Sequence, residues 1–346
     1  MRIVKNNKRI SVLGLIKFFA AIAIVYFHTL PTDPSTHWWH LWLLVELFFF
    51  ITGYFTFKHF RKKENRGKTL EQQSKNAISY TVKKFLPLIP FVIVAIVIKY
   101  IALLLRNDGA TLSSIMKILP LDILLLNSQT AELNWPLWYL SAMLIVFPLF
   151  CLLCQTKRKN TLYITLFTTV VVYYFNFFKG DISGPSCLIR AFIGMSAGIL
   201  VYALSTCIRK NVAISKNSKL MLVIFLVLIT VSILCLYPSR LNNGYELYGS
   251  IFLIMTILWL SILLSGKTFL SHISSPLMDY LERISMIIYM IHISIIYILS
   301  LPALPFALSG KRLALAAILL SVILSIILNA IIPKIISKFR IKDKSL

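Results

Sequence analysis

The sequence predicts an all-α membrane protein: a polytopic transmembrane helical bundle of about ten spanning helices, with both termini cytoplasmic. Three observations lead there. Hydrophobic residues make up 58% of the 346 positions and charged residues only 14%, against about 25% charged in a soluble domain. The apolar residues gather in runs of about 18 to 22, the length that crosses roughly 30 Å of hydrocarbon. The basic residues fall in alternate connections between those runs, as the positive-inside rule requires.

The first run, about 11–30, follows the basic leader "MRIVKNNKR". A cleaved signal peptide has a similar shape. The run is long, however, and no small-x-small cleavage site follows it closely, so it reads as a retained first helix. Nine more runs follow, at about 41–57, 85–105, 135–154, 161–178, 186–205, 218–237, 246–265, 284–301 and 313–336. The connection after the second carries "KHFRKKENRGK", Lys83 and Lys84. It makes about 58–84 the longest cytoplasmic stretch, where an amphipathic surface helix is expected. "KRK" follows the fourth run. Arg209, Lys210, Lys216 and Lys219 follow the sixth, Lys267 and Arg283 bracket the loop after the eighth, and "KFRIKDK" follows the tenth.

The other connections are poorer in Lys and Arg and hold Asp33, Asp108, Asp122, Glu132, Asp181 and Glu246. They are assigned to the outer side, where Trp38, Trp39, Trp42 and Trp135 form an aromatic belt. The longest outer connection, about 106–134, contains "IMKILPLDILLL", too short and broken to span, which is either re-entrant or interfacial. Residues 1–346 read as one integral-membrane domain without internal repeat or soluble appendage.

The net charge of +24 raises the possibility of nucleic acid. Its placement in short loops excludes that reading and points to anionic lipid headgroups instead. Five cysteines, Cys151, Cys154, Cys187, Cys207 and Cys235, lie in or beside apolar runs. "CLLC" has no matching second pair, so packing thiols are expected rather than a metal or a disulfide.

Ionisable residues inside spans are costly and usually face an interior cavity. Lys17 and His28 share the first run. Eleven steps of about 100° bring them within about 20° of each other, some 16 Å apart along the axis. One polar stripe therefore runs from the inner half to the outer mouth. The simpler alternative is a snorkelling lysine and a headgroup histidine. Glu46 opens the second run at a depth similar to His28. A short connection makes the two runs antiparallel neighbours, so a Glu46–His28 contact is expected, orienting the imidazole. Gly53, on the face of Glu46, permits close backbone approach. Trp135, Trp138 and Tyr139 at the start of the fourth run are either belt residues or a stacking platform for a sugar ring. Ser285, Tyr289 and His292 share a face of the ninth, with His292 near mid-membrane.

In order along the chain, "LIKFFAAIAIVYFH", "ELFFFITGYF", "WPLWYLSAM" and "ISMIIYMIHISI" resemble the motifs of the acyltransferase type 3 family of multi-spanning membrane acyltransferases. The resemblance covers nearly the whole chain. Three positions depart from it: Lys17 stands where Arg is usual, Thr52 where Ser is common, and Leu140 where many members have an acid.

The resemblance implies O-acyl transfer, most often of acetyl, from a coenzyme A thioester to a hydroxyl of a cell-envelope carbohydrate. It implies a multi-pass protein of the plasma (inner) membrane among membrane lipids. No metal and no permanently bound cofactor are expected; acetyl-coenzyme A or another acyl-coenzyme A is the donor substrate, and an envelope glycan or lipid-linked sugar the acceptor. In that scheme His28 is general base or transient acyl carrier, Glu46 orients it, and Lys17 offsets negative charge on the donor or the oxyanion. Tyr54, Trp135, Trp138, Tyr139, Ser285, Tyr289 and His292 contact substrate. The basic stretch 58–84 holds the donor's phosphates. Two other classes compete: a glycan or lipid transporter or flippase, and a non-catalytic subunit of a polysaccharide synthesis complex.

Overall fold

The computed structural model describes residues 10–30, 40–61, 69–106, 135–156, 158–178, 186–211, 218–236, 245–301 and 308–342. Those residues form helices and short 3-10 turns with no strand among them. The helices are α1 (Ser11–His28), α2 (Leu44–Phe60), α3 (Leu70–Phe85), α4 (Ile89–Arg106), α5 (Trp138–Gln155), α6 (Arg158–Phe178), α7 (Ser186–Asn211), α8 (Ser218–Leu236), α9 (Tyr245–Ser265), α10 (Pro276–Leu299) and α11 (Gly310–Lys342). The leader, Trp38, Trp39, the stretch 107–134, Asp33 and Asp181 lie outside the described residues, as do the side chains of Trp135 and Glu246.

Nine helical segments among the described residues are long and apolar enough to cross a membrane, which makes the chain an all-α polytopic bundle. The tenth expected span is α6, of which the side chains of 158–173 are described. It runs the length of α2: Arg61 donates to Thr161 Oγ1 at 3.1 Å, and Tyr173 donates to Glu46 Oε2 at 3.1 Å. Thr161, Thr165 and Thr169 are buried in the bundle, and Thr165 donates to the Thr161 carbonyl at 2.7 Å. A hydroxyl satisfied by its own helix tolerates an apolar setting.

The amphipathic helix expected within 58–84 is α3. Thr69 and Gln72 form a reciprocal capping box at its start, which satisfies two otherwise orphaned amides. Lys75 and Glu71 pair at 2.6 Å one turn apart. Ala77, Thr81 and Phe85 are buried while Ile78 and Val82 are exposed. Pro87 and Pro90 punctuate the passage through a 3-10 turn, Leu86–Leu88, into α4. The "CLLC" thiols Cys151 and Cys154 are free and buried on α5.

Two packing groups meet around the histidines. In one, α10 packs extensively against α1, α4 and α11; in the other, α7 packs against α2, α5, α6 and α9. Glycines set the closest crossings. A Cβ at Gly14 would sit 2.6 Å from the Met278 carbonyl oxygen and 2.8 Å from Glu282 Cβ, so α1 lies directly on α10. A Cβ at Gly194 would sit 2.6 Å from Phe49 Cβ, and one at Gly198 2.5 Å from the Tyr54 nitrogen. "GMSAG", residues 194–198, is thus a small-xxx-small seam that brings α7 onto α2.

This arrangement corrects the expected neighbours. α1 touches α2 only lightly; its main partner is α10, nearly the whole chain away. The two run parallel. The Ser275 amide donates to Ser11 Oγ at 3.2 Å, Lys17 meets Glu282, and His28 meets His292. A short connection limits where a helix can go, but the packing surface decides which neighbour it holds.

Candidate active site

α1 and α10 present matching polar positions at both ends. At the end where both begin, Lys17 Nζ donates to Glu282 Oε1 at 2.6 Å, with side chains 17% and 33% exposed. Lys84 of α3 lies within electrostatic range of both. This is the basic-loop end of the bundle. Eleven residues further along α1, the His28 ring stacks on His292 of α10, with centroids 5.1 Å apart and planes 19° apart.

His292 is fully buried. Its Nδ1 lies 2.6 Å from the Tyr289 carbonyl oxygen. A carbonyl only accepts, so Nδ1 carries the proton. In the neutral ring Nε2 is then a bare lone pair, and it is buried without a hydrogen-bond partner among the described residues. The backbone of α10 therefore fixes both the tautomer and the ring orientation. His28 is half-buried at the last turn of α1. The expected difference in depth between the two histidines is corrected: the rings occupy one level.

Tyr289 extends the site. Its hydroxyl donates to the Pro136 carbonyl at 2.8 Å, tying α10 to the turn that opens α5. Its ring is 5.8 Å from His292 and 5.5 Å from Tyr139. Val45, Phe48, Tyr139, Met286 and Tyr289 line an apolar cleft between the two packing groups. Trp138 is half-buried beside it, 6.3 Å from Phe49. Ser285, buried below Tyr289, donates to the Glu282 carbonyl at 2.8 Å.

Glu46 does not meet His28. Its carboxylate accepts from Arg190 Nε through Oε1 and from Tyr173 through Oε2. The reason is the α2–α7 seam: Gly194 draws α7 close enough for Arg190, one turn earlier, to reach the Glu46 carboxylate. Tyr54 also lies apart, two turns beyond Glu46. Its hydroxyl is 3.5 Å from the Leu264 carbonyl, where Arg209 caps the end of α9 with bonds of 3.0 Å to Leu264 and Ser265. The structure brings together His28, His292, Tyr289 and Tyr139, with Trp138 beside them. It leaves Lys17, Ser285 and Tyr54 toward the other end.

Lys17 is thereby separated from His28 by about 16 Å of helix and engaged with Glu282. We expect Lys17→Met to cost about 1–3 kcal/mol of stability, the usual effect of stripping a partner from a partly buried charge. The nearby Lys84 limits the loss. Thermal unfolding in detergent measures it, and a charge-exchanged Lys17→Glu/Glu282→Lys protein should recover most of it.

Three partners escaped the sequence reading: Arg190, Tyr173 and Glu282. Lys99 of α4 did too; it is 3% exposed, with its ammonium over the Tyr297 ring. The signal for Arg190 and Lys99 was available, since each interrupts an apolar run, "SCLIRAFIG" and "IVIKYIALL", and intramembrane cations mark interior sites.

Neither a curated protein nor a solved structure matches the chain. The model of the acyltransferase type 3 family, described as an acyltransferase domain, matches residues 10–332. With its membrane-competent helices and that match over nearly its whole length, the chain belongs to the acyltransferase type 3 family and is a multi-pass membrane acyltransferase.

Proposed function

We propose that the protein moves an acyl group, most simply acetyl, from acyl-coenzyme A to a hydroxyl of an envelope carbohydrate at the cell membrane. The observation that carries this reading is the stacked His28–His292 pair at membrane depth, one ring locked by a backbone carbonyl, beside an aromatic cleft. His28, the half-buried member, takes the proton of the attacking hydroxyl. Neutral His292 lies flat against the imidazolium that forms and stabilises it as an aromatic face stabilises a cation. Glu46 acts on Arg190 rather than on His28.

The donor approaches from the basic-loop end, where α3 carries Lys83 and Lys84 and Lys17 lies close by. Those cations suit the phosphates of coenzyme A. The distance from Lys17 to His28 suits an extended thioester arm that lays its acyl carbon beside the histidines. Tyr139, Tyr289 and Trp138 line the acceptor's side.

The test is acyl transfer by purified protein from labelled acetyl-coenzyme A, together with acetate released from the envelope glycans of cells complemented with each variant. His28→Ala should lower transfer by about 10²–10⁴-fold, the usual contribution of a general base. His292→Ala should cost less, about tenfold, as the loss of a desolvated cation–aromatic contact. Full acetylation by His28→Ala would sink the proposal, and solute movement without acyl transfer would favour a transporter.

A further inference from the structure

A guanidinium that the chemistry above leaves unused stands beside the cleft. Arg190 of α7 donates from Nε to Glu46, and its side chain is 12% exposed. The indoles of Trp42 and Trp138 both lie against it, each with its centroid 5.1 Å from the guanidinium carbon. Its Nη2 is buried and has no hydrogen-bond partner among the described residues. A buried donor left unmade costs free energy and calls for an explanation. The group cannot turn away to find a partner, because a carboxylate and two rings hold it in place.

A row of aromatic rings joins this donor to the histidines. Trp138 touches Arg190; Tyr139 follows at 6.4 Å, Tyr289 at 5.5 Å and His292 at 5.8 Å. Arg190 is also within electrostatic range of Tyr289 directly. Arg190 belongs to the α2–α7 group and the histidines to the α1–α10 group, and Tyr139 and Tyr289, the rings between them, line the cleft where those groups meet.

We infer that Arg190 is a catalytic residue whose Nη2 donates to the acyl carbonyl oxygen as that oxygen becomes an oxyanion. The assignment rests on the acyl-transfer reading above. The acceptor oxygen bonds to the acyl carbon, and its proton passes to His28. The carbonyl π pair moves onto oxygen, which accepts from Arg190. When the carbon–sulfur bond breaks, that pair reforms the carbonyl, and the departing thiolate takes the proton from His28.

The paired Glu46 decides between this role and a standing site for an anionic acceptor. Arg190 and Glu46 together are neutral, so they attract a permanent anion weakly. A fixed N–H donor in a water-poor site gains most where charge develops during the reaction, and one such donor contributes about 10²–10³ in kcat. Lys17 cannot serve, being about 16 Å from His28 along the helix and bonded to Glu282.

The experiment follows thiol release from acetyl-coenzyme A by purified protein in lipid vesicles, with envelope extract from cells lacking the gene as acceptor. R190Q should lose about 10²–10³ in kcat while the KM for acetyl-coenzyme A stays near that of the wild type, and R190K should regain part of the loss. E46Q/R190Q removes both charges, and so keeps the result readable if R190Q alone fails to fold. It should remain as slow as R190Q. Recovery of kcat in the double variant would show that Arg190 only balances Glu46, and would overturn the assignment. So would a raised KM at unchanged kcat. Wild-type protein that cleaves no thioester would overturn the acyl-transfer reading and this assignment with it.

Discussion

Glu46→Ala should lower stability by about 3–5 kcal/mol, the cost of leaving a buried cation without its partner. Glu46 is fully buried, and Arg190 reaches it from between two indole rings. With the carboxylate gone, Arg190 keeps aromatic faces but no counter-charge, and Tyr173 loses its acceptor. The Arg190 side chain is only 12% exposed, so water offsets little of the lost counter-charge. Glu46→Gln should cost less, because the amide oxygen still accepts from Arg190 Nε. A Glu46→Leu/Arg190→Met protein should be more stable than Glu46→Ala alone, since an ion pair replaced as a unit leaves nothing stranded. Thermal unfolding midpoints in a single detergent decide the order. A Glu46→Ala protein as stable as the wild type would mean that the pair carries no packing load.

The spans were legible because each is written in one continuous stretch. Hydrophobic runs of membrane length give α1, α2 and their successors directly, and the amphipathic α3 shows in the polar composition of 69–85. The Lys17–His28 stripe was legible for the same reason: it needs only the pitch of one helix. What faces that stripe was not. Glu282 and His292 lie on α10, more than 250 residues away in the chain, and no local rule pairs them with α1. The choice is made at Gly14, where the missing side chain lets α1 rest on the Met278 backbone. A short connection makes α1 and α2 look like partners, which points Glu46 at His28. The α2–α7 glycines override that inference by giving α2 a closer neighbour. Helix identity lives in the periodicity, whereas helix pairing lives in small-residue surfaces whose complements lie elsewhere in the chain.

Those surfaces imply the second large effect, at Gly53. Gly53→Ala should cost more than the roughly 1–3 kcal/mol typical of overpacking, enough to lower the yield of folded protein. A Cβ there would lie 2.7 Å from the Met195 carbonyl carbon and 2.8 Å from its Cα, and closer still to the carbonyl oxygen. All three obstacles are backbone, so no side-chain rotation relieves them, and α2 must lift away from α7. Lifting also stretches the Glu46–Arg190 and Glu46–Tyr173 bonds two turns away, which couples the packing fault to the buried charge. Gly266 gives the contrast. It has φ +77° with nothing within 4 Å of an added Cβ, so Gly266→Ala meets only the left-handed backbone penalty of about 1–2 kcal/mol. Size-exclusion profiles and unfolding midpoints of the two variants, expressed in parallel, should therefore differ sharply. If Gly53→Ala proves the milder of the two, α2 and α7 are further apart than the glycine seam requires.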